Sequence, residues 1–321
     1  MEINKMNNKN YGKVKVAAVQ AEQEFLLLDS SVEKCISLIK NAADQGCELI
    51  VFPESYIPGY PDWYAFIEHR DKQGPLLGKQ LFLNSLSLED EGMKRLQSAC
   101  GSNGINAVLG INETEPDTRG TMYNTHVYIT KDGEIAGKHQ KYVPTSVERL
   151  TQAPGNTGYH NHFQTDFGTV SSLICGENAN PLGIYAATAS YSSIHAASWP
   201  AHFAPPSDMQ DVIRMCTRTV AFILKAFVIN SVSRISNNYI EIFAKLDDKY
   251  RQYLTAEQSK KGGATIIDPS GKIIACGDAD DSEILVAELN LDDVIWPRIF
   301  KDYSGHYNRP ELFAPLFKKY M

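Results

Sequence analysis

What this sequence lacks narrows it first. No apolar run approaches the ~20 residues of a membrane span, so no membrane partner is expected. Cysteine is sparse, at positions 35, 47, 100, 175, 216 and 276, with no C-x-x-C or C-x-H pairing. That argues against a disulfide framework or a zinc site and predicts reduced thiols and a cytoplasmic location. The eight histidines also lack ligand spacing, His160-x-His162 being the only close pair, so no metal is expected. Positive charge is not in excess: 31 Lys and Arg stand against 38 Asp and Glu, a net −7, which argues against nucleic acid as a partner. Internal repeats, low-complexity tracts and linkers are absent. Met1 to Gly12 is polar and Asn/Lys-rich without an apolar stretch, so no signal peptide is expected.

What is present reads as one globular domain. The chain has 321 residues, 43% hydrophobic and 21% charged, enough for a substantial core. Strand and helix patterns alternate. Strands are predicted at Val14–Gln20, Glu48–Phe52, Asn106–Asn112, Met122–Thr130, the run toward His139, Thr169–Ile174, Ser193–Ser198, Phe227–Ser233, Ala264–Asp268, Lys272–Cys276 and Ile284–Leu289. Helices are predicted at Ser31–Ala43, from Asn180-Pro181 to about Ser190, and from a capping box at Ser207 to about Lys225. Trp63 to Ala99 reads as two helical segments broken around Gly74-Pro75. Residues 1–291 form the expected domain. Residues 292–321 form a tail rich in aromatics (Trp296, Phe300, Tyr303, Tyr307, Phe313, Phe317, Tyr320), which must cover something: its own domain or a neighbouring subunit.

Three stretches carry side chains suited to chemistry. Ser171 to Asn178 runs from a strand into Cys175, turns at Gly176 and opens a helix. A cysteine on such an elbow has an exposed sulfur beside free backbone N–H groups, as a nucleophile requires. Taken alone, it reads more commonly as a packing cysteine. Glu54, in Phe52-Pro53-Glu54, sits where the chain leaves an apolar strand. Partial desolvation there would raise its pKa and make it a usable general base, although an isolated loop glutamate is more commonly a surface acid. Lys141 also follows a strand, with Pro144 forcing the chain out of pairing. Singly, Lys141 reads as a solvated strand-end lysine and Glu148 as a helix-surface acid paired with Arg149.

Together they are specific. Phe52-Pro53-Glu54, Lys141-Tyr142-Val143-Pro144-Thr145 and Cys175-Gly176-Glu177, in that order, resemble the nitrilase superfamily of carbon–nitrogen hydrolases. The resemblance runs from Val14 to about Arg309. It includes Tyr123-Asn124-Thr125, Ala197-Ser198-Trp199-Pro200, Gly262-Gly263, Asp268-Pro269-Ser270-Gly271 and Gly305-His306-Tyr307-x-Arg309-Pro310. This last motif, with Pro58-Gly59-Tyr60-Pro61 and Val143 to Leu150, resembles the nitrile-hydrolysing branch more than the amidase or carbamoylase branches.

The resemblance implies a four-layer α-β-β-α sandwich, homodimers or higher homo-oligomers, and hydrolysis of a small-molecule nitrile without cofactor or metal. It makes Cys175 the nucleophile, Glu54 the base, Lys141 the stabiliser of the intermediate, and Glu148 a second glutamate that orients Lys141 or the substrate. Tyr60, His139, Gly176, Asn178 and Trp199 are the expected pocket residues. An amidase, a cyanide-hydrolysing enzyme and a catalytically silent scaffold are the alternatives. Two departures stand out. Gly176 occupies the place where many nitrilases carry Trp, and Ile223 stands where Glu is common in an R-A-x-A-x-E-x-K pattern.

Overall fold

The structure is a computed structural model. It describes residues 11–65, 67, 71–201, 209–259, 263–278 and 281–319. The chain begins β1 (Lys13–Val19), α1 (Leu28–Asp44), β2 (Leu49–Val51), α2 (Gln73–Leu83), α3 (Glu91–Asn103), β3 (Asn106–Thr114), β4 (Met122–Ile129) and β5 (Ile135–Gln140). It continues with β6 (His162–Thr165), β7 (Gly168–Ile174), α4 (Pro181–Ala189), β8 (Ile194–Trp199), α5 (Met209–Leu224), β9 (Phe227–Val232), α6 (Asn237–Ala244) and α7 (Lys249–Ser259). It closes with β10 (Thr265–Ile267), β11 (Ile273–Cys276), β12 (Ile284–Asn290) and α8 (Ile295–Phe300).

The strands form two six-stranded sheets, ordered β12-β1-β2-β3-β4-β5 and β11-β10-β9-β8-β7-β6. The central strands of each sheet, β1-β2-β3 and β7-β8-β9, run parallel, and the outer ones pair antiparallel. Alternation along each strand sends side chains to both faces. Val14, Val16, Leu49, Val51 and Val108 of one sheet meet Val170, Ile194, Phe227, Ile229 and Ile266 of the other between the sheets. The opposite face of the first sheet packs on α1 and α3 through Val32, Leu38, Ile39, Met93 and Leu96. The opposite face of the second sheet packs on α4 and α5 through Ile184, Ala187, Val220 and Leu224. This is the expected α-β-β-α sandwich. Among the described residues, no helix is long and apolar enough to cross a membrane.

Some expected boundaries are corrected. The interruption between α2 and α3 falls at residues 84–90, not at Gly74-Pro75. Pro75 is the third residue of α2, where its missing N–H costs no helical hydrogen bond. The interruption is instead held by Ser87 N–H donating to Asp90 Oδ2 at 2.6 Å. Strand β6 and helices α6 and α7 are additional elements. Only Tyr250 and Leu254 are buried on α7, so its sequence carries little periodic signal. Helices α6 and α7 close a cluster at one end of the sandwich, where Tyr239, Ile240, Phe243 and Leu254 pack with Phe25, Trp63 and Leu81. The expected capping box at Ser207, Gly262 and Tyr320 lie outside the described residues, and α5 is described from Met209.

The C-terminal segment is divided. Leu291 and Val294 are buried in the layer between the sheets. From Trp296 onward no described residue is fully buried, and Trp296, Phe300, Tyr307, Phe313 and Phe317 present exposed apolar surface. Part of this segment lies on its own domain, with Tyr191 Oη donating to Ser304 O at 3.0 Å and Asn308 Nδ2 donating to Tyr185 Oη at 3.1 Å.

Candidate active site

Three chain exits meet at one end of the sandwich. Glu54 lies three residues beyond β2, Lys141 immediately beyond β5, and Cys175 immediately beyond β7. Each exit contains a non-glycine residue in the left-handed region: Ser55 at φ 46°, Ser146 at φ 46° and Cys175 at φ 51°. Such backbone costs about 1–3 kcal/mol per residue and persists where surroundings over-determine it.

Lys141 is at the centre, 1% exposed. Its Nζ donates to Glu54 Oε1 at 2.7 Å and to Glu148 Oε1 and Oε2 at 2.8 and 2.9 Å. Asn124 Nδ2 donates to the same Glu54 oxygen at 2.7 Å, and Tyr60 Oη donates to Glu148 Oε1. Glu148 also accepts from Thr145 N–H at 2.9 Å. It is fully buried, which corrects its reading as a helix-surface acid paired with Arg149. Arg149 Nε donates instead to Pro144 O. Glu54 Oε2 is buried without a hydrogen-bond partner.

Electrostatics follow from this packing. Burial pushes Glu54 up to about 7; Lys141 opposes that shift and Glu148 adds to it. Burial would by itself lower Lys141, but Glu54, Cys175 and Glu148 outweigh it and hold its pKa above the usual lysine range. Cys175 is raised well above the usual thiol value by burial and then by Glu54, with Lys141 pulling it down. The resting thiol therefore keeps its proton beside a carboxylate poised near neutrality, and the ammonium favours the thiolate.

The elbow departs from expectation in the burial of its cysteine. The Cys175 side chain is not exposed: the residue is 1% accessible. Residue 175, not Gly176, takes the positive φ. Gly176 is exposed, and a Cβ there would meet only Thr145 Oγ1, at 3.9 Å. The elbow is held by side chains that follow it. Asn178 Nδ2 donates to Leu173 O at 3.0 Å and Cys175 O at 3.1 Å, while its Oδ1 meets His195 Nε2 at 3.0 Å. Asn180 Oδ1 caps α4 at Leu182 N–H and Gly183 N–H.

The expected pocket residues divide accordingly. Tyr60 joins the charged cluster. Trp199 ends β8, packs in the cluster that includes Cys175, Ile174 and Val232, and has a buried Nε1 without a hydrogen-bond partner. His139 and Asn178 are engaged by protein: His139 Nε2 meets Glu177 Oε2 at 2.8 Å, and its ring stands edge-on to Tyr142. Asn124 and Glu177 are site residues that sequence reasoning misses; their only signal is a place inside Tyr123-Asn124-Thr125 and Cys175-Gly176-Glu177. Cys175 does not line the cavity of about 510 Å³ between α4, α5 and Tyr303, although Asn178 does. Among the described residues, no cluster of three or more His, Cys, Asp or Glu could hold a metal ion.

Comparison with known proteins settles the family. The sequence signature of the carbon–nitrogen hydrolases matches residues 15–296. The chain belongs to the carbon–nitrogen hydrolase family. An aliphatic nitrilase of Rhodococcus rhodochrous is 37% identical over 94% of this chain and 79% of its own length. An arylacetonitrilase of Hypocrea virens is 33% identical over 93% and 90%, and a cyanide hydratase of Botryotinia fuckeliana is 30% identical over 95% and 82%. Among solved structures, an amidase from Nesterenkonia sp. superposes with a TM-score of 0.64 at 16% identity, covering 88% of this chain and 92% of that one. The C. elegans NitFhit protein superposes at 0.67 and 17%, covering 94% and 66%. At these identities the superpositions speak for the fold of a carbon–nitrogen hydrolase.

Proposed function

We propose that this carbon–nitrogen hydrolase is a nitrilase, converting a small organic nitrile to its carboxylic acid and ammonia, with Cys175 as the nucleophile. The observation that carries this reading is Lys141 Nζ held between Glu54 and Glu148 at 2.7–2.9 Å, with its charge acting on Cys175. Relatives of similar sequence that are named aliphatic nitrilase and arylacetonitrilase support reading the substrate as a nitrile rather than an amide.

A nitrile carbon is a weak electrophile and needs a thiolate. Glu54 takes the thiol proton as the sulfur adds to the C≡N carbon and passes it to the nitrogen, giving a thioimidate and restoring the carboxylate. Lys141 and the Gly176 N–H stabilise the charge that develops on nitrogen during addition. Glu54 then draws a proton from water as its oxygen adds to the same carbon. Glu54 passes that proton to the nitrogen, the new hydroxyl gives up its own proton to the leaving amine as the C–N bond breaks, and ammonia departs to leave a thioester. A second water cleaves the C–S bond, releasing the acid and restoring the thiol. Glu148 holds Lys141 in place, supported by Tyr60.

The test is ammonia release from parallel panels of aliphatic, arylacetic and aromatic nitriles, cyanide, and the matching amides. Nitriles should be turned over and Cys175→Ala should abolish the reaction while folding normally. Turnover confined to amides would replace the reading with an amidase, and ammonia release surviving in Cys175→Ala would remove Cys175 as nucleophile.

We extend the reading to a homo-oligomer built partly on the C-terminal segment. Trp296 and Phe300 are 72% and 66% exposed and stack with centroids 6.4 Å apart, an apolar surface suited to a second copy. Trp296→Asp combined with Phe300→Asp should give smaller particles on size-exclusion chromatography. An unchanged particle size would take this surface out of the interface.

A further inference from the structure

Glu177 stands two residues beyond Cys175, and the proposed steps give it no part. It is 6% exposed, and both of its oxygens are engaged. Oε1 accepts from Tyr142 N–H at 2.6 Å. Oε2 accepts from Ile174 N–H at 2.9 Å and from His139 Nε2 at 2.8 Å. Tyr142 directly follows Lys141, and Ile174 directly precedes Cys175. Their strands, β5 and β7, belong to different sheets, so no ladder hydrogen bond fixes one against the other. This carboxylate ties the exit carrying the ammonium to the exit carrying the thiol.

We propose that Glu177 is the positioning residue that sets the distance between Lys141 and Cys175, through one backbone N–H from each chain exit. The inference rests on the reading of Cys175 as nucleophile. Glutamate suits this role because an ionised carboxylate only accepts, so it can serve three N–H groups at once. A glutamine would turn an NH₂ toward one of them. An aspartate keeps the charge but is a methylene too short to span both exits. His139 orients the carboxylate: its Nδ1 is buried without a partner, so the ring proton lies on Nε2 and is donated to Glu177.

The test is site-resolved alkylation by iodoacetamide, followed at the Cys175 peptide by mass spectrometry between pH 6 and 9. A displaced Lys141 favours the thiolate less. Glu177→Gln and Glu177→Asp should each slow Cys175 labelling by about tenfold or more and move its pH profile upward. Glu113→Gln is the control. Glu113 is a buried carboxylate that accepts from Thr125 Oγ1 and Gln140 Nε2 at 2.8 and 2.9 Å and touches neither exit's N–H. Its variant should keep the wild-type labelling profile. Wild-type rates in both Glu177 variants would overturn the proposal and leave the nucleophile reading standing. Failure of both to fold while Glu113→Gln folds would overturn it too, assigning Glu177 to the fold alone. If wild-type Cys175 itself resisted iodoacetamide, the nucleophile reading would fall and the inference with it.

Discussion

Two buried polar layers lie in the same sandwich, and burial acts on them in opposite ways. One is the charged cluster of Glu54, Lys141, Glu148 and Tyr60. The other is built of neutral groups beneath the elbow. There, His126 is bonded by Ser172 Oγ at 2.9 Å and Ser198 Oγ at 2.7 Å, and His195 by Ser171 Oγ at 2.8 Å and Asn178 Oδ1 at 3.0 Å. In the neutral layer, burial lowers both histidines, His195 to about 3 and His126 well below the usual range. Burial therefore favours the uncharged ring in both. In the charged cluster, two carboxylates share one ammonium, and the carboxylate with an unpartnered oxygen is pushed to about 7. Neutral partners fix a protonation state, whereas a surplus of one charge leaves it poised. The end proposed to carry the chemistry is the one with the surplus.

The sharpest way to break this contrast is to remove the surplus. Glu54→Gln should cut turnover by roughly 10²–10⁴-fold, the range for a general acid–base group, and abolish the acid limb of kcat/KM that wild type should show near pH 7. The same variant should change stability in a pH-dependent direction. The folded pKa of Glu54 lies above its unfolded value, so its contribution to stability is fully present below about pH 4.5 and is lost as pH rises through about 7. Glu54→Gln should therefore exceed wild type in stability at pH 8, by at most about 3 kcal/mol, with the gain vanishing near pH 5. Thermal melts at the two pH values decide it. An equal shift at both would mean that Glu54 is not charged against its surroundings.

A smaller effect is expected on the neutral side. Ser198→Ala leaves His126 Nε2 buried with no partner from that serine, which should cost about 1–3 kcal/mol in chemical denaturation. It should leave the pH–rate profile in place. A moved acid limb in Ser198→Ala would mean that the two layers titrate together, and the contrast would fail.

The legibility of these regions from sequence differs for physical reasons. The alternation of strand and helix is legible because β2 is an apolar run and β1, β7, β8 and β9 carry β-branched and apolar residues bounded by turn formers, whereas the four-layer sandwich comes from the resemblance. Glu54, Lys141 and Cys175 are legible only together, because each stands at a strand exit within a motif and the three motifs in that order resemble one family. What the helical reading of Glu148 misses is tertiary: Lys141 reaches it from another element, and burial follows from that pairing. The histidine–serine layer is invisible for a related reason. His126 and His195 lie on strands as ordinary polar residues, and only the meeting of two sheets supplies their partners. Sequence also leaves open which elbow residue takes a positive φ: glycine is the natural choice, and the structure gives that conformation to Cys175.

That placement bears on the smallest effect, at Gly176. Two roles are available to it: backbone freedom at the elbow, or room beside the nucleophile. The first loses its basis, because the left-handed conformation belongs to Cys175 and is held there by Asn178. The second gains, because a Cβ on Gly176 would find only Thr145 Oγ1, at ordinary contact distance. Thr145 is also the residue whose N–H holds Glu148, so a side chain at 176 would extend along the loop that carries the charged cluster. Gly176→Ala should then leave turnover of small nitriles within about twofold and alter stability by under about 1 kcal/mol. Gly176→Trp should redistribute preference among nitriles of different length and branching, at roughly 1–3 kcal/mol per methylene that ceases to fit. Measured across one nitrile panel, the pair separates the roles. A pocket wall changes the ranking of substrates, whereas a backbone role lowers kcat for all of them alike, already in Gly176→Ala. A uniform loss there would return the strain to Gly176 and show that its N–H, not the space beside it, is what the chemistry needs.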